Sequence, residues 1–169
     1  MDRTLVDSPG SNTGVDVGLV AFRGDLGDDL SPVAVLDQDR DVVLVIDSAR
    51  LMAAPLDGFT RLDAAVDAAT AVAYTADALG DRVGVVAFDR TIRRRIAPRR
   101  RGGEAVVHAI FDLEPTAGEA DYDIAFRIVE RMKRALVIVF TDLLETSAAR
   151  PMLEAIPLLA RRHSLVVAG

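Results

Sequence analysis

Two acidic residues stand where this chain can do chemistry. Asp47 closes the run Asp41-Val42-Val43-Leu44-Val45-Ile46-Asp47, and Asp142 follows Leu136-Val137-Ile138-Val139-Phe140. Both runs read as strands buried on both faces, as the parallel strands of an open α/β sheet are. Ligands of such sheets bind in the crevice outside the carboxyl ends of the strands, and each strand delivers one aspartate to that edge. An aspartate there can serve as a nucleophile in phosphoryl transfer. Enzymes of that kind usually carry a second acid two residues on, and here that residue is Ala49, which holds no proton.

The remaining candidates are weaker. His108 and His163 fall in separate elements with no local ligand pair, and Arg101-Gly102-Gly103-Glu104 is too short for a phosphate loop and has an acid where a lysine is needed. The absence of cysteine removes disulfides, thiolate metal sites and thiol nucleophiles. Arg90, Arg93, Arg94, Arg95, Arg99, Arg100 and Arg101 place seven positive charges in twelve residues. Alternation puts Ile92, Arg94 and Ile96 on one face of a strand there, and Arg93 and Arg95 on the other. Charges of this kind protect a sheet edge from pairing with another chain. They also make Arg93, Arg94, Arg95, Arg99, Arg100 and Arg101 the candidate residues for binding an acidic partner, or this chain's own acidic N-terminus.

The elements that must position these groups follow from patterning. With 169 residues, half of them hydrophobic, the chain is long enough for one well-cored domain. No apolar run approaches the ~20 residues of a membrane helix, and no basic-then-apolar signal opens the chain, so a cytoplasmic protein is expected. The net charge of −6 is uneven: residues 1–48 hold ten Asp and three Arg. That acidity argues against nucleic acid as the main partner.

Residues 1–40 are expected to be acidic and loosely ordered, with one edge strand near Gly18–Phe22 and another short strand at Pro32–Leu36. The acids Asp25, Asp28 and Asp29 fit no calcium-loop spacing. From residue 41 strands and helices alternate. Thr60 caps a helix with apolar residues at Leu62, Ala65, Val66, Ala69, Val72, Ala73, Ala76 and Leu79, and Gly80 stops it. Arg82–Phe88 is a strand, with Thr91–Pro98 as its hairpin partner. Helices follow at Glu104–Leu113 and Asp121–Arg134, then the second acid-ended strand, a helix capped by Ser147 and a last strand at His163–Ala168. The fold class is α/β: a Rossmann-like, doubly wound, mostly parallel sheet with one antiparallel hairpin over residues 41–169, with the look of a C-terminally clipped domain.

The order of these motifs resembles a known family. A strand ending in Asp-x-x-x-x-Met, Gly-Asp-Arg-Val-Gly-Val-Val-Ala-Phe at 80–88, Thr-Asp-Leu at 141–143 and Ala-Arg-Arg-His at 160–163 is similar to the von Willebrand factor A-like domain of bacterial proteins in the domain-of-unknown-function 58 (DUF58) family. That resemblance implies a metal-ion-dependent adhesion site built from Asp-x-Ser-x-Ser after the first strand, a Thr before a later helix and an Asp after the fourth strand. An octahedral Mg²⁺ held by few carboxylates, hydroxyls and waters is the physical requirement.

Laid on this chain, the motif's aspartates fall on Asp47 and Asp142, the candidate metal ligands. The serine positions are Ala49 and Leu51, and the threonine position falls near Ala120, so three hydroxyls are missing. The expectation is a degenerate site, with Mg²⁺ as the one cofactor to be considered and Arg50 as the candidate cation replacing it, since an arginine fork suits a carboxylate. The implied function is a non-enzymatic interaction module, an adaptor or partner in a MoxR-type AAA+ ATPase chaperone-like system. Two other readings are a metal-dependent hydrolase or phosphotransferase using Asp47 and Asp142, and anion or nucleic-acid binding through the arginine hairpin.

Overall fold

The computed structural model describes residues 19–22, 40–142, 152–154, 156–157 and 159–169. Apart from residues 19–22 and 40, the N-terminal segment expected to be loosely ordered lies outside the described residues, as do the expected strand at Pro32–Leu36 and the expected Ser147 cap.

A six-stranded sheet forms the centre, in the order β1 (Leu19–Phe22), β8 (Ser164–Ala168), β7 (Ala135–Phe140), β2 (Asp41–Asp47), β5 (Arg82–Phe88) and β6 (Ile92–Arg100). β2 is parallel to both β5 and β7, and β7 is parallel to β8. β1 and β6 run antiparallel at the two edges. β1 falls where the edge strand was expected. It pairs with the outer side of β8.

Alternation along β2 divides the core. Val42, Leu44 and Ile46 face a cluster under α1 (Arg61–Leu79) and α2 (Gly103–Ile110), while Val43 and Val45 face one under α3 (Tyr122–Glu130) and Met152, Ile156 and Leu159. Both faces of β2 are therefore apolar, which is why its sequence shows no polar alternation.

α1 begins with a capping box. Asp63 Oδ2 accepts from Thr60 N at 2.7 Å and Asp63 N donates to Thr60 Oγ1 at 3.1 Å. The helix ends at Gly80, whose φ of 81° is left-handed. Its buried face is mostly alanine (Ala65, Ala69, Ala73, Ala76), so it can lie close to the sheet. The connection from β2 to α1 contains a 3-10 turn at Arg50–Ala53 and a short hairpin of two-residue strands, β3 (Pro55–Leu56) and β4 (Phe59–Thr60). Asp57 and Gly58 turn it, both at positive φ, as tight hairpin turns require.

The β5–β6 hairpin carries two irregularities. Phe88 pairs with Ile92 and Ala87 with Arg94, so Arg93 is an extra residue. It turns Ile92 toward the Phe88 side of the sheet, while Ile96, opposite Val85, packs on the other. The alternation that placed Ile92 and Ile96 on one face is corrected by this bulge. A second bulge sets Ala97 and Pro98 against Gly84, where a Cβ would lie 2.5 Å from Ile96 O and 2.6 Å from Pro98 N.

His163 leads into β8. It is buried, and neither ring nitrogen has a hydrogen-bond partner among the described residues. Burial, with the neighbouring Arg162 charge, pushes its imidazole below the ordinary 6.5. The unfolded chain then binds a proton that the native state refuses, so its contribution to stability is complete above pH 6.5 and falls as the pH drops below that value. Melting temperatures between pH 7 and 5 should show this slope in the wild type and a flatter one in His163→Phe. Equal slopes would contradict the assignment.

Candidate functional site

Parallel register brings the ends of β2, β5 and β7 level: Asp47 lies opposite Phe88, and Ile46 opposite Phe140. Asp47, Asp89 and Asp142 therefore come to one edge of the sheet, as expected for the first and third. Each is more than 90 % buried. Each has been given partners by the chain.

Asp47 is 2 % exposed. Its Oδ1 accepts from Ala49 N at 2.8 Å, and its Oδ2 from the Thr141 hydroxyl at 2.8 Å and the Tyr122 hydroxyl at 3.2 Å. The two hydroxyls also meet each other at 2.7 Å. With one proton each, the two hydroxyls share these three contacts, and either can be the donor between them. Burial raises the Asp47 carboxyl above its ordinary range; the three donors pull the other way, and the nearby Asp142 charge adds to the rise. Burial together with the Asp47 charge pushes the Tyr122 phenol up as well. Phe88 and Phe126 bracket the Tyr122 ring, with centroids at 5.4 and 5.9 Å, which fixes the hydroxyl's aim.

Asp142 is 6 % exposed, and its Oδ1 is 3.0 Å from Nη1 of Arg61. Arg61 is the first residue of α1, and its side chain is 23 % exposed. Arg50, expected as the cation at these aspartates, is 45 % exposed and its Nε donates to Glu119 at 2.5 Å.

Loop contacts close the crevice. Thr116 N donates to Ser48 O at 2.8 Å and Arg50 N to Gly118 O at 2.9 Å, joining the loop after β2 to the loop before α3. Ser48, the hydroxyl nearest Asp47 in sequence, is fully buried and donates to Phe88 O at 2.9 Å. Asp89 holds Thr91 N, the Thr91 hydroxyl and Arg93 Nη1. Burial alone would raise its carboxyl, but these donors outweigh it and hold it below the ordinary range.

A family model for the von Willebrand factor type A domain matches residues 42–145. The chain belongs to that family. Von Willebrand factor type A domains are generally protein-interaction modules. No curated protein matches the chain. Among solved structures, a von Willebrand factor type A protein from Catenulispora acidiphila is 18 % identical with a TM-score of 0.52, covering 76 % of this chain. The match takes in 32 % of that structure, so this chain spans about a third of its length. The VWA domain of SpRpn10 is 14 % identical, with a TM-score of 0.46, over 76 % of this chain and 87 % of that one. The first of these likenesses establishes the shared fold.

Within this von Willebrand factor type A domain, the positions named from the adhesion motif are all placed. Ala49 is buried, Leu51 is half-buried, and Ala120 packs against the cluster under α3. None offers an oxygen-bearing side chain. Among the described residues, no group of three or more His, Asp or Glu side chains is arranged to hold a metal ion.

Sequence reasoning missed Arg61, Tyr122 and Thr141. Thr141 had a usable signal: it immediately precedes Asp142 at the end of a buried strand, where a polar residue needs a partner. The arginine cluster is divided by the fold. Arg93 is bound to Asp89, and Arg94 donates to Ala109 O and Arg93 O and reaches Asp112 at 3.3 Å. Arg95, Arg99, Arg100 and Arg101 are exposed. No helix of the described residues is long and apolar enough to cross a membrane.

Proposed function

We propose that this domain is a non-enzymatic protein-interaction module of the DUF58 type, an adaptor or partner of a MoxR-type AAA+ ATPase, in which the chain's own groups close the adhesion position. One observation carries the reading: both oxygens of the 2 % exposed Asp47 are met by protein donors, and Asp142 is held by Arg61. A cation seated between the two aspartates would have to displace the Thr141 hydroxyl and the Arg61 guanidinium. It would also lack hydroxyl ligands from residues 49, 51 and 120. This donor set does not fit Mg²⁺, whose near-octahedral shell needs oxygens at about 2.1 Å. The same burial speaks against Asp47 as a nucleophile, since a reacting phosphoryl group needs a path to its oxygen.

Capture tests the partner. The tagged full chain, expressed in the cell that encodes it, should retain a MoxR-type ATPase through a high-salt wash. Recovery of the tagged chain without an ATPase would overturn that part of the proposal.

A further inference from the structure

α1 and α2 lie side by side on one face of the sheet and run in opposite directions. α1 starts at the aspartate edge, where Arg61 reaches Asp142. α2 starts beside the other end of α1, where Gly103 N donates to Asp77 Oδ2 at 2.9 Å, and the chain after it returns to Ser48. The buried alanines of α1 and Val106 and Ile110 of α2 face the sheet. At about 100° per residue, Asp63, Asp67 and Tyr74 stand between Asp77, which touches α2, and Ala78, which points outward. On α2 the matching flank, turned outward from Gly103, holds Glu104, Val107 and Phe111.

These residues line a groove between the two helices. Tyr74 and Phe111 are 54 % and 69 % exposed, and Val107 is half-buried. Phe111 follows Glu104 by about 10 Å along α2, which sets it level with Asp67, while Glu104 is level with Tyr74. Asp63, Asp67 and Glu104 are all exposed. Residues 62–81 and 102–126 contain no Lys or Arg. The cations bounding α1 are held, Arg61 by Asp142 and Arg82 by Asp41, and Arg101 precedes α2 at one end of the groove. Glu104 lies 3.8 Å from His108, a cation only when protonated.

We infer that this groove docks a basic amphipathic helix of a protein partner. From Asp63 to Tyr74 it runs roughly 16 Å, the length of about three helical turns. A helix laid there sets its apolar side chains against Tyr74, Val107 and Phe111, as helix-in-groove recognition requires. Lys or Arg on its flanks then meet the three carboxylates. Exposed aromatic rings are the residues that interfaces concentrate. Nucleic acid and an anionic membrane surface carry the wrong sign for this face. A second copy of the chain would bring the same acids and no Lys or Arg in its own groove, so like charges would meet. Within the chain, residues 1–18, 23–39 and 143–151 hold one basic residue each, Arg3, Arg23 and Arg150. None of these stretches offers the several cations that the groove's carboxylates call for.

The inference rests on the proposed function only in taking the partner to be a protein. Failed capture of the ATPase, with groove-dependent peptide binding intact, would remove the named partner and leave the docking groove standing.

The test measures fluorescence anisotropy of a labelled Leu/Lys peptide of about fifteen residues patterned as an amphipathic helix, using the full chain. A scrambled peptide of the same composition is the charge control. Combined Asp67→Asn and Phe111→Ser is compared with combined Asp57→Asn and Phe59→Ser, which removes an acid and an equally exposed phenylalanine from the β3–β4 hairpin. Thermal melting checks that both variants fold. The groove variant should bind the patterned peptide about tenfold more weakly than wild type, and the hairpin variant less than about twofold more weakly. Four results would overturn the inference: no binding of the patterned peptide to the wild type, equal weakening in both variants, equal binding of the scrambled peptide, or a wild-type dimer in sedimentation that the groove variant loses.

Discussion

Gly84→Ala should lower the melting temperature by about 10 °C, corresponding to roughly 3 kcal/mol, while leaving the domain folded at room temperature. Gly84 lies in the middle of β5, where the second bulge of β6 presses backbone against it. An added Cβ would sit 2.5 Å from Ile96 O, 2.6 Å from Pro98 N and 2.9 Å from Ala97 C. Backbone atoms of a paired strand cannot swing away as a flexible side chain can, so β5 and β6 must part locally. The control is Gly58→Ala. Its Cβ would meet nothing within 4 Å, and its cost comes from the positive φ of 91° alone. A Gly84→Ala loss no larger than that of Gly58→Ala would show that the bulge does not constrain this strand.

Asp47→Ala is expected to cost about 2–3 kcal/mol, because the Ala49 amide and the Thr141 and Tyr122 hydroxyls lose their common acceptor inside the protein. Tyr122 and Thr141 can still bond to each other, which keeps the figure below the sum of three separate losses. Asp47→Asn should cost less than about 1 kcal/mol, since one amide oxygen and a hydroxyl rotation restore most of the pairing. The ordering is the informative part. Denaturation in EDTA removes any contribution from adventitious cations. Equal and small losses in both variants would mean that the hydrogen bonds to Asp47 do not hold the loops together.

The placement of Asp47 and Asp142 at one edge was legible because it depends on local facts. Each ends an unbroken apolar run, and parallel strands in one sheet must deliver their ends together. Thr60 and Gly80 announced both ends of α1 for the same local reason. The groups that meet the aspartates were not legible. Arg50 is closer in sequence to Asp47, yet Arg61 reaches Asp142 because α1 begins at that edge. Tyr122 is 75 residues from Asp47, and only the packing of α3 on Phe88 of β5 brings its hydroxyl there. The helix itself stops at Glu130, short of the expected Arg134, because residues 131–134 turn the chain into β7. The face of Ile92 was misjudged because an inserted residue reverses every side chain beyond it, and no composition rule marks Arg93 as that residue.

The most direct measurement is a thermal melt of the wild type and Asp142→Ala in excess EDTA and again in millimolar Mg²⁺ or Mn²⁺. A ligand that binds the native state raises the melting temperature by mass action. With Asp47 held by Thr141 and Tyr122 and Asp142 by Arg61, neither protein should shift between the two conditions. Asp142→Ala should melt lower than wild type in both. A metal-dependent rise in the wild type that disappears in Asp142→Ala would show that the two aspartates hold a cation, and would contradict a site closed by the chain's own groups.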